Sequence, residues 1–266
     1  MSKRHLRRFF YSFQLPEKNQ SFCLSAEEAH HLANVVCLQE GEDCLVIDPL
    51  GTEVEAVVVA IDNSHKVSLK VKEVCVFPES CPKDKLIVFQ AIPKKAKFDW
   101  IVQKAQELGV FQLFPLMSKR TIVRIEPSKE KGKLERWHKL AIEAAKQSGG
   151  REIVRLDAPL DFNEIREKLK GANWVLLFHP SEKSEEIGEW CKLQSLQETQ
   201  GSEKLASRQI AVFIGPEGGF SEEEVRALEK NAQDVGAHFK MLHLGETILK
   251  SDTAFVSIIS VLKFLI

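Results

Sequence analysis

The sequence predicts an α/β protein: a parallel sheet covered by helices, preceded by a small module rich in β-strands. Three observations carry this. From Leu86 onward, short apolar runs alternate with helix-length amphipathic segments, the pattern of parallel strands joined by crossover helices. Residues 1–76 instead hold several short apolar runs parted by turn formers, with a single helical pattern among them. Between the two, Phe77–Lys83 carries Pro78 and Pro82 and reads as a linker. A chain of 266 residues accommodates two modest domains, with expected bounds of 1–78 and 83–266.

In the first module, Arg7–Phe13 reads as a strand, and Ser25 with Glu28 makes a capping box for a helix through Leu38. Strands follow at Cys44–Asp48, Val54–Ile61 and Val67–Val76, with Gly51 and Asp62–Ser64 marking the turns. In the larger part, strands are expected at Leu86–Ala91, Val110–Met117, Trp174–Phe178, Ile210–Ile214 and His238–Leu242. Phe98, Ile101, Val102, Ala105 and Leu108 mark one face of a helix that Gly109 ends. Further helices are expected at Lys129–Gln147, Phe162–Leu169, Ser221–Asn231 and Asp252–Leu265. Residues 192–207, rich in Gln, Ser, Glu and Lys, read as a solvated loop. The last helix is apolar on nearly every side, so it must be covered, by the chain itself or by a second subunit.

Composition narrows the function classes. No apolar stretch follows the N-terminal basic residues, which argues against a secretory signal. The longest apolar run, Ala254–Ile266, is shorter than the roughly 20 residues a membrane span needs. The six cysteines form no C-x-x-C pair, so core thiols in a reducing cytoplasm are expected and no metal site. The net charge of −1 conceals an uneven distribution, because residues 83–155 hold 17 Lys or Arg against 8 Asp or Glu. Clustered positive charge is the footprint of phosphate binding, although a merely solvated basic face would read the same way.

Two segments carry chemistry. In AVFIGPEGGFS, residues 211–221, a buried strand runs into a glycine-rich turn, and Ser221 with Glu224 opens a helix. In LHLGETILKSDTA, residues 242–254, a second strand meets Gly245 and then a helix. Parallel sheets bind ligands at the carboxyl ends of their strands, where glycines let a ligand approach the backbone. Neither turn has Walker or G-x-G-x-x-G spacing, so a phosphate ligand is not indicated. The first turn reads equally as structural or ligand-binding. If both converge, the pocket offers backbone polar groups and aliphatic walls suited to an adenine ring and a thioether-like tail.

On the IGPEGGFS run and the LG-x-x-IL-x-x-x-TA run, the chain resembles the RsmE family of 16S ribosomal RNA uridine-N3 methyltransferases, within the SPOUT superfamily. Lys104–Val110, Lys119–Arg124 and Glu143–Gly149 support the likeness over nearly the whole length. The resemblance implies a SPOUT-type parallel sheet with a deep trefoil knot, preceded by a PUA-like β-barrel that binds RNA. It also implies a cytoplasmic homodimer that binds S-adenosylmethionine (SAM), with the 16S rRNA of the small ribosomal subunit as partner and no membrane association. Carried over by position, Ile214, Gly215, Gly218, Leu242, Leu244, Gly245, Ile248 and Leu249 would line the cofactor pocket. The sequence departs from the family pattern at Thr247 and Lys250, where arginines are usual. It departs again at Asn34 and Cys37, which lose two positive charges, and at Gly150, which displaces an arginine to Arg151.

Methyl transfer to uracil N3 needs in-line positioning and removal of a proton. Glu217 is the candidate base, or alternatively a residue that only shapes its turn, and Lys250 or Arg151 the cation facing the uracil anion. Two other readings compete: a non-catalytic RNA-binding or ribosome-assembly protein on the same fold, and a nucleotide-binding metabolic enzyme.

Overall fold

The computed structural model describes residues 6–48, 52–62, 66–75, 84–94, 97–150, 152–200 and 207–266, with only the backbone of 195–200. The expected linker at 77–83 and the turns at Gly51 and residues 63–64 lie outside the described residues. The chain divides into two compact units, residues 1–80 with 145–153, and residues 81–144 with 154–266.

The first unit is a five-stranded sheet in the order β1-β3-β4-β5-β2. Its strands are β1 (Arg8–Phe10), β2 (Ser21–Cys23), β3 (Asp43–Ile47), β4 (Glu53–Ile61) and β5 (Val67–Val74). β1 pairs parallel to β3, and the other pairings are antiparallel. Phe9, Leu32, Val46, Val54, Val58 and Leu69 fill the core. The expected helix through Leu38 is α1 (Ala26–His30) followed by a π-helical turn over His31–Val36. Cys37 then adopts φ +59°, the left-handed region that ends helices. Ser25 caps α1 by accepting from the Glu28 N–H at 3.3 Å. The Glu28 carboxylate does not complete the box; buried, it accepts from Phe10 N–H at 3.2 Å and pairs with Lys146. That lysine, with Gly149 under the Arg8 guanidinium, brings residues 145–153 into this unit.

The second unit is an eight-stranded, all-parallel sheet. In chain order its elements are β6 (Lys85–Ala91), α2 (Lys97–Glu107), β7 (Gln112–Met117), α3 (Pro127–Ser148, whose residues from 145 on belong to the first unit), β8 (Arg155–Leu156), β9 (Leu160–Asp161), α4 (Ile165–Lys168) and β10 (Trp174–Phe178). There follow β11 (Glu185–Glu186), α5 (Ile187–Gln200), β12 (Gln209–Ile214), α6 (Glu222–Asp234), β13 (His238–His243) and α7 (Ser251–Leu265). The strand order is β11-β13-β10-β12-β6-β7-β8, with β9 also on β7. β6 and β12 are buried along nearly their whole length, as strands covered on both faces must be. Phe89 stacks on Phe213 and Phe114 at centroid distances of 4.3 and 4.8 Å in the core.

Some elements correct the sequence reading. Of residues 192–207, expected as a loop, 192–200 continue α5, which Ile187, Trp190 and Cys191 anchor from within the protein, and 201–206 lie outside the described residues. Most of residues 192–200 are Lys, Leu, Gln and Glu, good helix formers, and the run's polar character had read as loop. The expected helix at 162–169 is a 3₁₀ turn over Phe162–Glu164 followed by the short α4. Cys23 and Cys37 are exposed, whereas Cys44, Cys75 and Cys191 are buried. Burial pushes the Cys44 thiol up to about 12, with Asp43 adding to the shift. No described helix is long and apolar enough to cross a membrane.

Candidate active site

Strand register sets the site. Phe178 of β10 pairs with Ile214 of β12 on one side and Leu242 of β13 on the other. These neighbouring strands therefore end within a residue of one another, and the segments beginning at His179, Gly215 and Leu244 leave the sheet side by side. They enclose a cavity of about 790 Å³, counting its open mouth. Ile214, Leu242, Leu249, Ala254 and Ile258 supply apolar wall.

The glycine turn is built tightly. A Cβ on Gly215 would lie 3.2 Å from the Phe220 ring and 3.3 Å from the Gly219 Cα. Gly219 has φ +67°, and its N–H donates to the Pro216 carbonyl at 2.8 Å. The turn runs into α6 through a complete capping box, with Ser221 accepting from Glu224 N–H and the Glu224 carboxylate accepting from Ser221 N–H at 2.8 Å. Buried Glu224 also accepts from Lys119 N–H at 2.7 Å, which fixes the segment after β7. From that segment, Arg120 donates to the Gly218 carbonyl at 2.7 Å.

The opposite wall rests on a buried polar chain. Gln90, fully buried at the end of β6, donates to Ser251 Oγ at 2.9 Å, and Ser251 donates to the Gly215 carbonyl at 3.1 Å. The start of α7 is tied further by the Lys97–Asp252 pair at 2.8 Å. The hydrogen bond from Lys97 holds the Asp252 carboxyl below its usual range. Gly245, at φ +97°, sends its N–H to His243 Nδ1 at 3.0 Å.

Of the residues singled out by sequence, Ile214, Gly215, Glu217, Leu242, Leu244, Gly245, Ile248 and Leu249 line the cavity. Gly218 and Lys250 are not on its wall: a Cβ on Gly218 would lie 3.6 Å from the Arg120 side chain, and Lys250 is the exposed residue before α7. Arg151 lies outside the described residues. The sequence reading missed Phe178, His179, Gly219 and Ser251. His179 had a usable signal, since it directly follows an expected central strand, where parallel sheets place ligand-binding groups. Among the described residues, no three His, Cys, Asp or Glu side chains gather as a metal-binding group.

Together, fold and site define a parallel α/β protein with a ligand cavity at the carboxyl edge of its sheet, joined to a smaller β-rich unit. Residues 79–263 match the RNA methyltransferase domain, and residues 24–72 match the RNA methyltransferase PUA domain. The chain belongs to this RNA methyltransferase family. It is 30% identical over 263 residues to ribosomal RNA small subunit methyltransferase E of Bacillus subtilis, covering 97% of this chain and 96% of that protein. A Legionella pneumophila structure, described as a methyltransferase in complex with the bound cofactor SAM, superposes with a TM-score of 0.78 at 26% identity, covering 97% of both chains. Ribosomal RNA small subunit methyltransferase E of Neisseria gonorrhoeae, solved bound to S-adenosyl methionine, shares the fold with a TM-score of 0.77 at 23% identity over 98% of both chains. The resemblance read from the two glycine turns stands.

Proposed function

We propose that this chain is a SAM-dependent methyltransferase acting on N3 of a uracil in the 16S rRNA of the small ribosomal subunit. The observation that carries this reading is the cavity at the ends of β10, β12 and β13, in a chain of the RNA methyltransferase family. Ile214, Leu242, Leu244, Ile248 and Leu249 offer aliphatic contact for an adenine ring and a methionine tail, and the Gly215 and Gly245 turns offer backbone donors and acceptors. These residues fit the cofactor.

Bound SAM supplies an electrophilic methyl group on a sulfonium. The chain's own work is to hold the uracil N3 in line with that methyl and to take the N3 proton. Glu217, exposed on the cavity wall, is the residue assigned the proton. Lys250 or Arg151 is the cation assigned to the uracil anion. The first unit, as a PUA-like barrel, binds the RNA, and the turns after β12 and β13 lie in a deep trefoil knot. Two copies associate through α7, whose Phe264 and Leu265 are 71% and 52% exposed while Phe255, Ile258, Ile259 and Leu262 are covered by the chain. The setting is the cytoplasm, where the small subunit is found. Mass spectrometry of 16S rRNA nucleosides from cells with and without the gene tests the function. N3-methyluridine disappearing with the gene is the expected result; an unchanged level overturns it.

A further inference from the structure

One ring in the cavity has no assigned part. His179 is the first residue after β10, and its backbone N–H is held by the Leu242 carbonyl at 3.1 Å. The residue lines the cavity. One edge is sealed: Nδ1 is buried with no hydrogen-bond partner, against the Gly219 turn, where a Cβ would meet Nδ1 and Cε1 at 3.6 Å each. Nε2 is not among the buried, partnerless atoms.

A neutral imidazole carries its proton on one nitrogen. A buried N–H without an acceptor is rarer and costlier than a buried lone pair without a donor. The proton therefore sits on Nε2, where water or a ligand can accept it. A second proton would place a donor on sealed Nδ1. It is opposed by burial and then by the positive charge of Arg120, which together hold the imidazole pKa below its usual range. Glu217, His243 and Glu246 are the other titratable residues around this cavity. Gly219 contributes through its missing side chain, since its turn closes over the ring.

We infer that His179 is a ligand-binding residue whose Nε2–H donates a hydrogen bond to an acceptor atom of the nucleoside portion of the cofactor, with Nδ1 sealed under the Gly219 turn to fix that tautomer. The inference rests on reading the cavity as the cofactor site. It adds a neutral side-chain donor to a pocket otherwise described by backbone and aliphatic groups.

Side-chain geometry supplies the test. The amide nitrogen of glutamine stands as far along its side chain as Nε2 does in histidine, and that of asparagine as far as Nδ1. Isothermal titration of the full-length protein with S-adenosylhomocysteine, the demethylated product, compares wild type with His179→Gln, His179→Asn and His179→Ala. Loss of one neutral hydrogen bond should raise Kd about 2- to 12-fold in the Ala and Asn variants, with Gln staying near wild type. Should Ala melt at a lower temperature, the Gln and Asn variants, matched in polarity, still separate a specific donor from a packing role. Equal Kd values for wild type and Ala, or for Gln and Asn, overturn the assignment of His179 and leave the cofactor site intact. A wild-type protein that binds no S-adenosylhomocysteine overturns the cofactor reading itself.

Discussion

Gly218 and Gly219 are neighbours with different tolerances. Gly219 sits at φ +67° against His179, whereas a Cβ on Gly218 would only reach the Arg120 side chain at ordinary contact distance. A β-branched residue at positive φ is a conformational outlier, costing about 1–3 kcal/mol. Gly219→Val should therefore lower stability by that amount in urea unfolding and weaken S-adenosylhomocysteine binding, whereas Gly218→Ala should leave both near wild type. Equal behaviour of the two would show that backbone conformation does not govern the turn. The sequence identified both glycine turns because glycine after a buried strand is a local signal. It could not rank the glycines within the first turn, because φ depends on how Pro216 and Gly219 close it. His179 stayed hidden for a related reason: its sealed nitrogen comes from a turn 40 residues away in sequence.

Among the elements, α6 shows what one buried carboxylate joins. Glu224 accepts from Ser221 N–H and from Lys119 N–H, holding a helix start and the segment after β7 at once. Glu224→Ala should cost about 1–3 kcal/mol, since it removes two hydrogen bonds to a charged acceptor and leaves two part-buried backbone N–H groups without that partner. Ser221→Ala, which removes only a helix cap, should cost about 1 kcal/mol. Similar urea midpoints for the two variants would mean that the bond to Lys119 contributes nothing. The capping box itself was legible from Ser221 and Glu224, three residues apart; the Lys119 contact was not, because no local pattern encodes a partner 105 residues away. At α7, the Asp252 carboxyl is depressed by Lys97, so its stabilisation is complete above the ordinary value of 3.8 and is lost as pH falls through the lowered one. Thermal melts from about pH 5 down to about pH 3 should show a shallower acid decline for Lys97→Met than for wild type. Parallel curves would remove that pair from the acid response. The α5 helix shows the limit of composition, because a polar run anchored by Trp190 and Cys191 folds as a helix while reading as a loop.

For the whole molecule, the uneven charge has a measurable consequence. Lys94, Arg124 and Lys139 are exposed within the basic stretch, whereas Lys97 and Arg120 are engaged by Asp252 and the Gly218 carbonyl. Replacing the three exposed residues by alanine should weaken binding of small-subunit RNA and flatten its salt dependence, by roughly 0.7–0.9 of logarithmic slope for each phosphate no longer neutralised. Unchanged slopes in filter binding over a salt series would move the RNA surface elsewhere. Light scattering checks the association through α7: a dimer mass is expected, and Phe264→Glu with Leu265→Glu should shift it toward a monomer. A wild-type monomer would end that reading. The α/β class was legible at this scale because strand–helix alternation is a property of sequence order. The membership of residues 145–153 was not, since the long helix pattern through Gln147 gave no sign of where one compact unit yields to the other.

That membership bears on how the protein comes into being. The first unit is written in two separated passages, 1–80 and 145–153, with the whole of 81–144 between them. On a ribosome, Glu28 must wait for Lys146, and Arg8 for Gly149, until most of the other unit's first strands and helices have already been made. The chain therefore cannot finish one part and then begin the next. A gene cut near residue 80 would yield neither part whole, because each side of the cut would lack or carry a piece belonging to the other.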